Sequence, residues 1–424
     1  MPISSAFCEI KTMTVDAGGI MKRIISILLA LSTLLLVSCG APRKVENKAA
    51  PFASATYHRV IEAPSRVLLA DAKLYYYSKA DGESYPFCFN PLCQHTYKEN
   101  CPSMLFGGSK SVTGQMVYCD ETGRFFFARG QKIYSMSFDA SDIKLECSLG
   151  EDGDVSQKMY DKNLIKSMRS YGRYVYFMFT NAETGHAQIL RLDSKTSKLK
   201  EMTSGETEWV IAYEIADGYV YFKMTTSDNL MNYYTADLDF NNKKVISDPV
   251  YPSDALVIGL YDGKWFYERT PEGLVKFDPL TEEKVLVSGD PEFLKFAQIL
   301  AVNERGVYFT YDEIKNVGKE YISAYGEYRD VFLSGTKIGV LQKDGVIEEV
   351  FDLKTGEVFS INFIDGGVVI YCTAMCIEST DGTLKQKPNV FILFDTDENG
   401  KFINPRPIGN YAEDEELIEY LKRL

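Results

Sequence analysis

Histidine is scarce in this sequence, with three residues in 424, and the His-Glu-x-x-His signature of zinc proteases is absent. Neither a Gly-x-Ser-x-Gly elbow nor a phosphate-binding loop occurs, so the common local signatures of hydrolases and nucleotide enzymes are missing. Basic residues are also in short supply. Lys and Arg number 46 against 59 Asp and Glu, a formal charge of -13, which argues against non-specific nucleic-acid binding, since that needs a basic surface. Helical apolar periodicity is nearly absent after the first forty residues, and the one long apolar run, Ile24 to Leu36, is too short to span a bilayer comfortably. What remains abundant is aromatic: 28 Tyr and 25 Phe.

Those aromatics recur in one phrase. Asp217-Gly218 is followed by Tyr219-Val220-Tyr221-Phe222, and Gly172 precedes Tyr174-Val175-Tyr176-Phe177. Trp265-Phe266-Tyr267, Val307-Tyr308-Phe309, Val369-Ile370-Tyr371, Phe125-Phe126-Phe127 and Leu74-Tyr75-Tyr76 each follow a Gly or Asp turn in the same way. The copies start 42 to 62 residues apart, the period of propeller blades. The expected fold is therefore all-β, a β-propeller of seven blades, each of four antiparallel strands. Six or eight would follow if blade one or the interrupted blade six is parsed differently.

The blades are expected at about Val60–Gly107, Ser111–Leu149, Ile165–Met202, Trp209–Ser247, Leu256–Ser288, Ile299–Phe351 and Val358–Pro407. Within each, the aromatic run is taken as the second strand. The third strand ends in an acidic turn, as at Asp193, Asp237, Asp278 and Asp395, where Asp, Asn and Gly tolerate hairpin backbone angles. Two segments, Asp312–Asp330 and Cys372–Pro388, interrupt blades six and seven and are expected to emerge as loops, where binding specificity is often built. Glu413 to Leu424 reads as a short C-terminal helix with Leu417, Ile418, Leu421 and Leu424 on one stripe. The domain reading is 1–39 for an over-extended start plus signal peptide, 40–57 for a flexible tether, 58–410 for the propeller and 411–424 for the helix.

The N-terminal segment carries an address. Met1 to Ile20 has scattered charge and no periodicity, so Met21 is the expected start. Lys22-Arg23, the apolar Ile24–Leu36 and then Leu36-Val37-Ser38-Cys39 resemble the bacterial lipoprotein signal. The resemblance implies cleavage before Cys39 and acylation of its thiol, with two or three chains giving a durable anchor on the extracellular face of the cell membrane.

Blade one holds the one chemical constellation. Cys88, Cys93, His95 and Cys101 fall within fourteen positions as C-x4-C-x-H-x5-C. Thiolate and imidazole are the donors tetrahedral zinc prefers, and Cys3His is a known structural combination. The spacing is neither a standard zinc finger nor a haem attachment site. Disulfides are the competing reading, because exported proteins tend to pair their cysteines. Apart from Cys39 the mature chain has seven: these three with Cys119, Cys147, Cys372 and Cys376. An odd number cannot all pair internally; if three bind metal, four remain for two bridges, while free thiols are a further possibility.

Leu74–Tyr77 followed by Pro86-Phe87-Cys88, Pro91-Leu92-Cys93-Gln94-His95 and Cys101-Pro102 resembles the first blade of a group of lipid-anchored propeller proteins of Gram-positive anaerobic bacteria. The likeness covers the lipobox, tether and blade one by motif and the other blades by architecture. It implies location and fold; the group has no assigned activity.

Asp395-Thr396-Asp397-Glu398-Asn399-Gly400 matches the opening of a calcium loop. Its twelfth position is Arg406 instead of the closing Glu, so an ordinary hairpin is expected. His58 and His186 stand alone, which fits structural roles. The functional expectation is a non-enzymatic, surface-displayed, monomeric lipoprotein that binds an extracellular glycan, peptide or protein through its loops. The alternative is a secreted carbohydrate-active or other hydrolytic enzyme whose carboxylates meet in the propeller channel. Paired, pKa-shifted carboxylates there would favour the enzyme.

Overall fold

The computed structural model describes residues 59–424 apart from 72, 97–100, 105–115, 150–164, 182–184, 204–208, 217, 226–230, 246–263, 271–272, 279, 282, 290–297, 312–314, 323–326, 334–335 and 379–383. Cys39, the signal, the tether and His58 lie outside the described residues. Among the described residues no helix is long and apolar enough to cross a membrane.

Seven sheets follow one another along the chain as antiparallel meanders, forming a seven-bladed β-propeller. Blade three shows the pattern: Ile165–Tyr171, Tyr174–Thr180, Ala187–Asp193 and Leu199–Glu201 pair in sequence order. Blade five shows three strands among the described residues, Phe266–Thr270, Gly273–Phe277 and Lys284–Ser288. The segment expected to hold its first strand lies largely outside them. First strands of neighbouring blades approach one another, Val60–Ala63 with Met116–Cys119 and that strand with Ile165–Tyr171, so they surround the axis.

In blades two, three, four and six the aromatic runs are buried on both faces, which explains why they lack polar alternation. In Tyr174–Thr180, Val175 and Phe177 pack towards blade two with Phe126 and Ile133, while Tyr176 and Met178 pack towards blade four with Val220 and Phe222. A strand's side chains alternate between its faces, and here each face meets a neighbouring blade. Every buried ring of this kind contributes on the order of 1.5–3 kcal/mol. The turns ahead of the runs need left-handed backbone: Gly218 has φ +83° and Gly366 has φ +89°, angles that Gly adopts without steric cost.

Blade seven closes against blade one. Val67 and Leu69 share a core with Val369, Tyr371, Phe391 and Leu393. The amide of Gly409 donates to Ser84 Oγ at 3.0 Å, and the Arg59 guanidinium lies 4.5 Å from the centre of the Tyr371 ring.

Aspartates hold the third-strand turns as expected. Asp193 Oδ1 accepts from the amides of Lys195 and Thr196, Asp237 Oδ1 from Asp239 and Asn241, and Asp278 Oδ1 from Leu280 and Thr281. In blade seven the turn belongs to Asp397, whose Oδ1 accepts from Asn399 and Lys401. Asp395 pairs instead with Arg406 at 2.9 Å. The calcium-like stretch is thus a hairpin turn with the carboxylates of Asp395 and Asp397 already engaged.

Three expectations need correction. In blade one the aromatic run Leu74–Ser78 is the third strand, because Val60–Ala63 and Arg66–Ala70 form a hairpin ahead of it. The described parts of the segments expected as loops in blades six and seven are β-structure. Lys315–Ile322 and Glu327–Leu333 form a hairpin, and Gly367–Glu378 pairs with Leu384–Thr396 out to Glu378 opposite Leu384. The two extensions meet in one sheet through a parallel bridge from Glu320 to Leu384. The tail helix is shorter than expected, Glu415–Leu421, capped by Asp414. Leu417 and Leu421 enter the core of blades six and seven, and Leu424 is exposed.

Candidate metal centre

The last strand of blade one, Ser84–Pro86, delivers the chain into the cysteine segment. Phe87 is fully buried and meets Phe125 of blade two edge-on at 5.9 Å. Phe89 stacks on Tyr76 at 5.6 Å, and the Arg66 guanidinium sits against the rings of Tyr76, Phe89 and Phe138 at 4.6, 4.8 and 4.4 Å. These contacts fix Cys88 between two anchored rings. Asn90-Pro91-Leu92-Cys93 then closes a turn, with the Cys93 amide donating to Asn90 O at 3.1 Å and the Leu92 amide to Asn90 Oδ1 at 3.0 Å. Asn at the first position and Pro at the second are the residues such a turn favours.

His95 has φ +53°, a left-handed conformation that costs a residue other than Gly roughly 1–2 kcal/mol. It turns the backbone so that the His95 amide donates to Cys93 Sγ at 3.4 Å while Nδ1 lies 3.4 Å from Cys101 Sγ. Cys101 is buried, at the start of the Pro102–Met104 3-10 turn. The result is a compact donor set. The ligand atoms of Cys88, Cys93, His95 and Cys101 all lie within 4.8 Å of one another.

The electrostatics favour a thiolate at Cys101. Burial pushes its thiol up, but hydrogen bonds from Ser103 first, then from His95, Cys93 and Cys88, outweigh burial and bring it down to about 6. Burial pushes the Cys88 thiol up. Metal ligation needs deprotonated sulfur, and a neutral-pH thiolate beside an imidazole and two further thiols is a starting point for it. The donor set fits zinc: three sulfurs and one nitrogen, all from protein, complete a tetrahedron.

The remaining described cysteines are free thiols, as are these three. Cys119 and Cys147 pack in the core between blades two and three. Cys372 and Cys376 lie four residues apart on one strand, a separation of about 13 Å along it, beyond the reach of a disulfide. The pairings open to the other four cysteines are thus not made. Burial pushes the Cys147 thiol up to about 11 and drives that of Cys372 still higher, as expected of cysteines acting as small apolar residues. His186 stacks on Trp209 at 6.3 Å.

The buried carboxylates are bound to structural partners. Glu214, on the first strand of blade four, accepts from Arg169 Nε at 3.2 and 3.1 Å through its two oxygens. Asp193 and Asp278 are consumed by their turns. Asp120, exposed and just past the end of blade two's first strand, is no buried acid; partial desolvation pushes its carboxyl up, and the charge of Glu62 adds to the rise. Ser103, fully buried with Oγ 3.0 Å from Cys101 Sγ, is the member of the cluster that sequence reasoning missed. Its position two residues after a candidate ligand is its one trace in the sequence, and that trace does not separate it from an ordinary serine.

No protein-family model matches the sequence, and no curated protein matches it. Solved structures match by shape. Puromycin hydrolase superposes with a TM-score of 0.50 at 13% identity over 84% of this chain and 54% of that one. This chain therefore spans about half the length of that enzyme. Pyrococcus horikoshii acylaminoacyl peptidase gives 0.48 at 10% identity over 84% and 53%. Oligogalacturonate lyase in complex with manganese gives 0.47 at 12% over 79% and 87%. At these identities the likeness is one of fold.

Proposed function

We propose that this chain is a non-enzymatic, lipid-anchored propeller on the extracellular face of a bacterial membrane, binding an extracellular glycan, peptide or protein through its loops. In this reading Cys39 carries the lipid, and Cys88, Cys93, His95 and Cys101 hold one structural zinc. The observation that carries it is the completeness of the donor set. Four protein ligands leave no position for water or substrate, the arrangement of structural and not catalytic zinc. Bound there, the ion supplies a cross-link across a loop too short to bury a core of its own. The commitment of Glu214, Asp193 and Asp278 to structural partners points the same way.

The test is an array of glycans and peptides probed with the mature protein. Reproducible binding without product supports the reading, and turnover of any polymer overturns it. Metabolic labelling with an alkyne fatty acid tests the address: the label should be lost in Cys39→Ala.

A second reading, a hydrolase with its carboxylates in the channel, is favoured by the upward shift of Asp120 beside Glu62. Glu62 is already engaged by Lys79 Nζ at 2.6 Å and by the amide of Asp365 at 2.7 Å, which makes it a poor proton carrier. Activity abolished by Asp120→Asn would select this reading.

A further inference from the structure

The buried hydroxyl of Ser103 is unexplained by packing. Ser103 is completely inaccessible to solvent, and a buried hydroxyl without a partner costs on the order of 1–3 kcal/mol. Among the described residues its side chain has one hydrogen-bond partner, Cys101 Sγ at 3.0 Å. A neutral thiol is a weak acceptor, a poor return for burying a hydroxyl. A sulfur that ligates a cation is a charged acceptor, and hydrogen bonds to charged acceptors are roughly twice as strong as neutral ones. The backbone is arranged to make this contact. Pro102 fixes the first step of the 3-10 turn, and the Met104 amide donates to Cys101 O at 2.9 Å, folding Ser103 back against the sulfur that precedes it by two residues.

We propose that Ser103 is a positioning residue of the metal centre, its Oγ–H donating to the Cys101 sulfur and fixing the direction in which that sulfur faces the ion. The inference rests on the metal reading above and extends it to a residue with no ligand chemistry of its own. The other sulfur contact has the same logic: Cys93 Sγ accepts from the His95 amide at 3.4 Å. Cys101 and Cys93 are thus each aimed by a hydrogen-bond donor that is not itself a ligand atom, the Ser103 hydroxyl and the His95 backbone amide. Outer partners of this type orient ligands and tune the ion, and their loss typically costs about 10–100-fold in affinity.

The experiment uses cobalt(II) as the probe in the full chain, solubilised in mild detergent. The wild type should show the visible bands of tetrahedral cobalt and a near-ultraviolet thiolate-to-cobalt charge-transfer band at one equivalent. Ser103→Ala should still take one equivalent, bind it about tenfold more weakly, and move the charge-transfer band to longer wavelength, because a sulfur relieved of its hydrogen bond gives up electron density more easily. Ser103→Thr, which keeps the hydroxyl, should restore the band. Wild-type affinity and band position in Ser103→Ala would overturn the proposal while leaving the metal reading intact. A folded Ser103→Thr that behaves like Ser103→Ala would also overturn it. If Ser103→Thr does not fold, the band position in Ser103→Ala decides. A wild type that takes up no cobalt would overturn the metal reading and the role of Ser103 with it.

Discussion

The backbone amide of Asp365 in blade seven donates to the Glu62 carboxylate in blade one at 2.7 Å, joining residues 303 apart in the chain. This bond marks the seam where the ring shuts, and the same seam buries Leu69 completely against Gly409 and Phe391. The two contacts should weigh very differently.

Leu69→Ala should destabilise the whole propeller by about 2–5 kcal/mol, the range for deleting a buried leucine. Glu62→Ala, at a more exposed site, should cost about 1 kcal/mol or less. Equilibrium denaturation followed by tyrosine fluorescence and by far-ultraviolet circular dichroism checks this. The two probes should move together in Leu69→Ala, because the seam belongs to the closed ring; loss confined to one probe would contradict closure.

His95 combines an unfavourable backbone angle with a proposed ligand role. His95→Gly relieves the backbone yet removes the imidazole, so thermal stability without metal should rise slightly or stay level, while zinc affinity falls. The fall should exceed the roughly 10–100-fold typical of losing an outer partner. Chelator competition measures it. Unchanged affinity would remove His95 from the donor set.

Arg169 and Glu214 form a buried ion pair between blades three and four, at 8% and 3% side-chain exposure. Removing either partner strands a buried charge and should cost about 3–5 kcal/mol. Glu214→Leu with Arg169→Met should recover most of that loss, since apolar pairs often replace buried ion pairs without cost. A double-mutant cycle by chemical denaturation reads the coupling. Losses that merely add would show that the pair is not coupled.

Acid should open the propeller through its turns. At Asp193 and Asp278 burial opposes ionisation, but the turn amides outweigh it and hold both carboxyls below their usual range. At Asp414 burial is likewise outweighed, by Lys387 and the Leu417 amide. At Asp139 the hydrogen bonds of Ser141 and Ser137 bring the carboxyl to about 2. A folded-state value below the unfolded one gives stability that is complete above the ordinary carboxylate range and lost as pH falls through the folded value. The melting temperature should therefore hold from neutrality to about pH 5 and drop between about pH 4 and 2. A drop already complete by pH 5 would contradict this origin.

The blade repeat was legible because a strand buried on both faces must be apolar at successive positions, as Val175-Tyr176-Phe177-Met178 are. The turn aspartates were legible because hairpins demand residues that bond their own backbone. Blade one's offset was not, since Val67-Leu68-Leu69-Ala70 is more buried than the aromatic run yet carries no ring to mark it. The extensions in blades six and seven were hidden by an assumed blade length, although Val368 to Ile377 continues as apolar strand. The four ligands of the candidate site were visible as residue types. Ser103 was not, because only burial against a sulfur separates it from an ordinary surface serine.

The most direct test of the proposed zinc cross-link is elemental analysis of the full chain purified without chelator, together with thiol titration under denaturing conditions before and after reduction. One zinc per chain, with Cys88, Cys93 and Cys101 all titrating without reductant, is the predicted result. A metal-free protein in which two of those sulfurs appear only after reduction would contradict it.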